Sequence, residues 1–470
     1  MKAYDKQGKG YKNVEFPGGA GELQKYMNKN VLLPKEIKLS DSDKNVRVYY
    51  SFYVDEKGLQ GGLVSAYDAL QSNALYGQNF IALMEIRGDN AMDNDQGASG
   101  GVRYQLESFA ERSDNTIVTD GWLGCFRAIF RCNIVISRAA DIKMDETRKK
   151  EIVAQARFLR ALNYFNATRL WGKLPLITEP QTTAEARQNQ RADTSAIYTQ
   201  ITDDLKIAVS DLPESWPAVK KGSATKFAAQ ALLAKVYLYQ KKYSDAIAVL
   251  APLVEKINNG TLISLVPQPQ TFPNGLKTSK DILFSVQFLL GGIGEAVLQN
   301  NRYRNSGDNN AITLPQSLFE NSDNRKALVA PTGNGQRPGK FDGPVANEET
   351  SMDMPVLRCA EVMLIYAEAL NENGYPDDDA LAALNAVRVN AGIAALDFTT
   401  LNSKEVFRTE VYKQRRLELA LELDRWVDIV RTGQMPVIYP LVDAYRKVYP
   451  VPQIEIQNIT NQTGWQNDGY

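Results

Sequence analysis

The chain has 470 residues, 44% of them hydrophobic, with 54 Lys and Arg against 55 Asp and Glu. This is an ordinary globular composition, long enough for a large core, and a formal net charge of −1 leaves no basic field to attract nucleic acid or anionic lipid. Histidine is absent, which excludes Ser-His-Asp and Cys-His catalysis, HExxH zinc sites and histidine proton shuttles; only carboxylate chemistry remains.

Residues 1–58 have a character of their own. Glu15 to Gly19 reads as a turn, Glu22 to Asn28 as a short helix, Val46 to Val54 as a strand, and Asp55 to Gly58 as a second turn. From Leu59 the pattern becomes helical. Asp145 is placed to cap a helix running to Trp171, with Ala154, Phe158, Ala161 and Phe165 on one apolar stripe and Gly172 as its stop. Ser223 is placed to cap a helix bearing Phe227, Ala231, Ala234 and Leu238. A short link, Gln240 to Tyr243, leads to a second stripe of Ala246, Leu250, Leu253 and Ile257. Such a pair is an αα-hairpin of tetratricopeptide type. Glu361 to Asn373 and Asp378 to Asn390 form another candidate pair, and one last helix is expected from Lys404 to Thr432, ended by Gly433.

Cys125, Cys132 and Cys359 lack metal-type spacing and read as small buried apolar residues. No stretch reaches the roughly 18 apolar residues of a membrane span, and no apolar signal segment follows Met1; either the chain is cytosolic or its targeting segment lies outside this sequence. Three stretches rich in Gly, Asn, Asp and Pro interrupt the helices: Arg87 to Gly101, Val266 to Lys277 and Gly291 to Val345. Loops this long on a helical scaffold suit recognition.

Five segments resemble the SusD/RagB family in family order. They are Arg157 to Phe165 with Leu170 to Leu176, Ala224 to Leu250, Val356 to Leu370, Arg415 to Arg431, and Tyr449 to Pro452 with Gln466 to Tyr470. The resemblance covers about residues 59–470. It implies a mainly α fold, with tetratricopeptide-like hairpins packed against a loop-rich lobe and a small α+β N-terminal segment. It also implies an outer-membrane lipoprotein that binds glycan, with no cofactor, and passes it to a SusC-like TonB-dependent transporter. The lipid-bearing cysteine of the family lies outside this chain, whose first cysteine is Cys125. Residues 15–58 are similar to the first half of a TonB C-terminal domain. An appended module that contacts the transporter's energising machinery and an artificial junction both remain open.

Two loops are the candidate ligand sites. The first carries Arg87, Asp89, Asn90, Asn94 and Gln96, whose paired donors and acceptors suit sugar hydroxyls. The plainer alternative is a solvated loop with Asx turns. A calcium site built from Asp89, Asp93 and Asp95 is disfavoured, because Gly97 comes one residue too early for an EF-hand. The second loop carries Tyr303, with Arg302 or Arg304 beside it, a ring to stack on a sugar face; ordinary loop packing is the alternative. Trp122 and Trp216 are weaker stacking candidates. The charged run Arg415, Arg416, Glu418, Glu422, Arg425, Asp428 and Arg431 reads as structural ion pairing rather than acid–base machinery. A glycoside hydrolase would need a carboxylate pair across a cleft, and a tetratricopeptide adaptor a peptide groove on the helical concave face; no motif selects either.

Overall fold

The computed structural model describes residues 53–93, 97, 101–290, 296–298, 310–329, 338–343, 345–347 and 349–470. The predicted Val46 to Val54 strand and almost all of the TonB-like segment lie outside these residues. The expected turn at Asp55 to Gly58 is instead the start of a helix, α1 (Glu56–Gln71). The Asp55 carboxylate accepts from the backbone N–H of Gly58, so the residue that reads as a turn former is an N-cap.

The frame continues with α2 (Thr116–Ala139), α3 (Glu146–Trp171), α4 (Thr194–Asp211), α5 (Lys226–Tyr239) and α6 (Tyr243–Asn259). After the loop-rich lobe come α7 (Cys359–Asn373), α8 (Asp378–Asn390), α9 (Lys404–Glu418) and α10 (Arg425–Arg431). Each helix packs on the next: α1 on α2, α2 on α3, α3 on α4, α4 on α5, α5 on α6, α6 on α7, and α7 on both α8 and α9. This is the stack of hairpins that the stripes predict. Asp145 caps α3 through the N–H of Arg148, and Gly172 ends it at φ 74°. Ala154, Phe158, Ala161 and Phe165 are all buried, as are the stripes of α5 and α6. The cap of α5 is Thr225 rather than Ser223, its hydroxyl accepting from Ala228 N–H.

The strands are short. β1 (Ala91–Asp93) pairs antiparallel with β3 (Asn310–Ile312), and β2 (Ile282–Val286) pairs antiparallel with β4 (Met354–Arg358). Two expectations fail in the lobe. Residues 266–277, read as a loop suited to recognition, are anchored inward: Gln268, Thr271, Phe272 and Leu276 are buried, and the Gln268 amide donates to the Glu418 carbonyl. The predicted helix of 404–432 is also broken, between α9 and α10, where Leu421 and Leu423 sit at φ 69° and 70°. The break is held from outside. Lys340 Nζ donates to the carbonyls of Glu418 and Ala420, and the Glu85 carboxylate accepts from Leu421 N–H. Buried partners thus take the backbone groups that a continuous helix would have used itself.

Candidate functional site

The two loops singled out in the sequence leave the same short ribbon. In β1–β3, Ala91 faces Ile312, Met92 faces Ala311, and Asp93 faces Asn310. Asp93, the last described residue before the first loop, thus faces Asn310, the first described residue after the second. Asn94 and Gln96, like Tyr303 and Arg304, lie outside the described residues; their flanking residues are joined by this ribbon.

The footing beneath the ribbon is built by the residues just before it. Ala82–Ile86 forms a π-helical turn, a local widening common at functional sites. It places Glu85 fully inside, where the carboxylate accepts from Leu421 N–H at 2.9 Å and from the Asn90 amide at 3.2 Å. Burial dominates, and the acid is pushed up to about 7 despite these donors. Gly88 lets Arg425 pack close, since a Cβ there would sit 2.9 Å from the Arg425 stem and force it to shift. The Asn90 carbonyl accepts from the N–H groups of Thr313 and Leu314, tying β3 to the same turn.

Of the predicted ligand residues, Arg87, Asp89 and Asn90 belong to this footing. Arg87 is 1% exposed. Its guanidinium lies between Phe109, Trp426 and Tyr449, 4.3 to 5.0 Å from their ring centres, and pairs with buried Glu111 at 2.8 Å. Its side chain is fully enclosed, so the reading of Arg87 as a sugar contact is corrected to a core ion pair. Asn90 is equally buried and joins Glu85 to Arg416, whose Nε donates to its Oδ1 at 2.9 Å; both ends of its amide are engaged by the protein. Asp89 is half-buried and clamped by Arg425 and, at 2.9 Å, by Arg416. Burial pushes its carboxyl up, but the two guanidinium groups outweigh that and hold it below the usual range.

The charged run plays the structural part expected of it. Arg415 bridges Glu361 and Asp428, and Arg431 pairs with Glu368 and Asp428. Lys235 Nζ lies 2.8 Å from Glu361 and 2.7 Å from Asp424. Arg358 gathers Asp281, Glu418 and Glu422. Burial raises Glu418, but Arg358, Arg325 and Lys340 pull it down to about 2. Burial leaves Asp281 raised to about 6 and Glu361 raised in direction. These acids with raised values, Glu85 included, are 2% exposed or less and are engaged by protein donors, so none of them flanks an open cleft.

Trp122 is core, edge-on to Trp171 at 5.5 Å. Trp216 is half-buried, donating to the Ala224 carbonyl, with Lys220 over its face. All three cysteines are buried. Among the described residues no Trp or Tyr is fully exposed, no group of His, Cys, Asp or Glu is placed to hold a metal ion, and no helix is long and apolar enough to cross a membrane.

Comparison with known proteins fits this arrangement. Residues 38–238 match the SusD-like family described as "Starch-binding associating with outer membrane", and residues 339–470 match the SusD family. The chain belongs to the SusD/RagB family. A SusD-like protein of Formosa agariphila is 27% identical, the alignment covering 85% of this chain and 89% of the relative. A SusD-like protein of Bacteroides ovatus is 24% identical over 81% and 76%. Among solved structures, a laminarin-binding SusD-like protein superposes with a TM-score of 0.73 at 27% identity, covering 89% of this chain and all of that one. A SusD homologue from Bacteroides thetaiotaomicron gives 0.75 at 20% identity, covering 90% and 98%, which supports the fold. The SusD-like family match begins at residue 38, inside the segment that looks TonB-like, and α1 crosses the 58/59 boundary drawn from the sequence.

Proposed function

We propose that this SusD-like chain captures glycan without cleaving it, at the outer bacterial surface, and delivers it to a SusC-like TonB-dependent transporter. Membrane association through a lipid anchor belongs to the same reading. The observation that supports it is the β1–β3 ribbon, in which Asp93, just before Asn94 and Gln96 in sequence, pairs with Asn310, which follows Tyr303 and Arg304 in sequence. A pyranose ring offers apolar faces to an aromatic and hydroxyl edges to amides and guanidinium groups, and these four side chains supply both kinds of contact. Family membership and the laminarin-binding structural relative point to the same ligand class.

Electrophoresis through gels containing starch or laminarin tests this. Retarded migration without release of reducing ends is the expected result. Tyr303→Ala and the double change Asn94→Ala with Gln96→Ala are expected to abolish most of the retardation with melting unchanged. Release of reducing ends would instead establish a hydrolase. Residues 1–58 are kept in this proposal as a TonB-like segment beside the binding unit of 59–470. Because α1 begins at Glu56, a deletion that tests their role should stop before Tyr53.

A further inference from the structure

The described residues form a second concave site, away from the ribbon. It is a cleft of about 430 Å³ that continues into a neighbouring one of about 230 Å³, the two sharing Val64, Tyr67, Lys221 and Ser223. Its size falls in the range of small-molecule sites. One wall is a single face of α1. Gln60, Val64, Tyr67 and Gln71 follow one another at helical spacing, so that face carries an amide, an aliphatic group, an aromatic ring and a second amide in order. The opposite wall is the turn at 217–223. The floor is β2 with its continuation through Phe288.

The walls are fixed. Tyr67 donates its hydroxyl hydrogen to Gln155 and accepts from Ala224 N–H at 2.9 Å, joining α1 to the end of the turn. The Gln71 amide donates to the Gln287 carbonyl at 2.8 Å, joining α1 to the floor. The Gln287 side chain lies against Gly222, where a Cβ would come within 2.5 Å of it. Apolar groups nevertheless stand open to water along the rim: Val64 is 62%, Val219 93% and Leu289 54% exposed. Charges at the cleft are mostly matched within the protein, Asp68 by Arg131, Lys277 by Asp353 and Arg148 by Glu56. What remains is Lys220, Lys221 and Glu151, a surplus of one positive charge, with Lys220 lying over the Trp216 ring. A preformed cleft with apolar faces, amide edges and little net charge fits a neutral oligosaccharide better than a polyanion.

We infer that this cleft is a second carbohydrate subsite, holding a distal part of a longer neutral chain. The inference rests on the proposed glycan capture.

Calorimetric titration of short and long starch- and laminarin-derived oligosaccharides tests it. Val64→Arg places a long side chain across both halves of the cleft from an exposed helix position, and melting is followed alongside. Wild type is expected to bind the long oligosaccharide more tightly than the short one. Val64→Arg is expected to erase that gain, about tenfold, and leave short-chain affinity unchanged. Lys221→Ala, at an exposed position, is expected to lose part of the same gain. A long-chain advantage that survives both substitutions overturns the subsite, while leaving glycan capture standing. Absence of wild-type binding to every oligosaccharide overturns both.

Discussion

Arg87 shows what one buried cation does in this chain. Three aromatic rings and the Glu111 carboxylate surround it, and Glu111 also accepts from the Tyr470 hydroxyl at 2.7 Å. Arg87→Ala leaves Glu111 buried beside a void, so a loss of about 3–5 kcal/mol is expected in denaturant unfolding. Unchanged stability with lost glycan binding would return Arg87 to the ligand site. Glu85 makes the opposite case. Its folded pKa, about 7, lies above the value near 4.5 of a free glutamate. Protonation therefore favours the folded state, and the Glu85 contribution falls as pH rises from 4.5 through 7. Glu85→Gln removes that titration. Relative to wild type, the variant is expected to gain stability between pH 5 and pH 8 by up to roughly 3 kcal/mol. A constant difference across that range would show that Glu85 does not titrate there.

At the scale of elements, the part on which the proposed glycan capture depends is the clamp between α9–α10 and the turn before β1. Arg416 and Arg425 hold Asp89, and Arg416 also donates to Asn90 Oδ1 and to the Asp89 carbonyl. Those two residues in turn accept from Thr313 and Leu314 at the end of β3. The ribbon is thus oriented by two cations rather than by its own three residue pairs, too few for an independent hairpin. Asp89→Asn keeps the shape and drops the charge. It is expected to weaken glycan binding several-fold while costing about 1–2 kcal/mol of stability, in the range between exposed and buried pairs. Wild-type affinity in this variant would mean that the ribbon keeps its place unaided.

Across the whole molecule, what the sequence discloses follows the range of the interactions. The hairpins were legible because their signals are local: Asp145, Gly172 and the stripes of α3, α5 and α6 each act within a few turns. The break after Glu418 was not, because Lys340, Arg358 and Glu85 impose it from distant points of the chain. Arg87 was misread for the same reason. A guanidinium among Gly, Asp and Asn looks solvated until Phe109, Trp426 and Tyr449 close over it. The cleft on α1 carried a faint signal, amides at both ends of an apolar helical face, that only the opposing 217–223 turn makes legible as a wall.

The clamp also bears on how the protein comes into being. Asp89 meets partners 327 and 336 positions further along the chain, so early-made helices can assemble long before the ribbon is oriented. Contacts this remote in sequence form slowly. Sugar-binding competence should therefore emerge late in maturation, once α9 and α10 have joined the stack, and chains that stop short of them would carry the early helices with no grip.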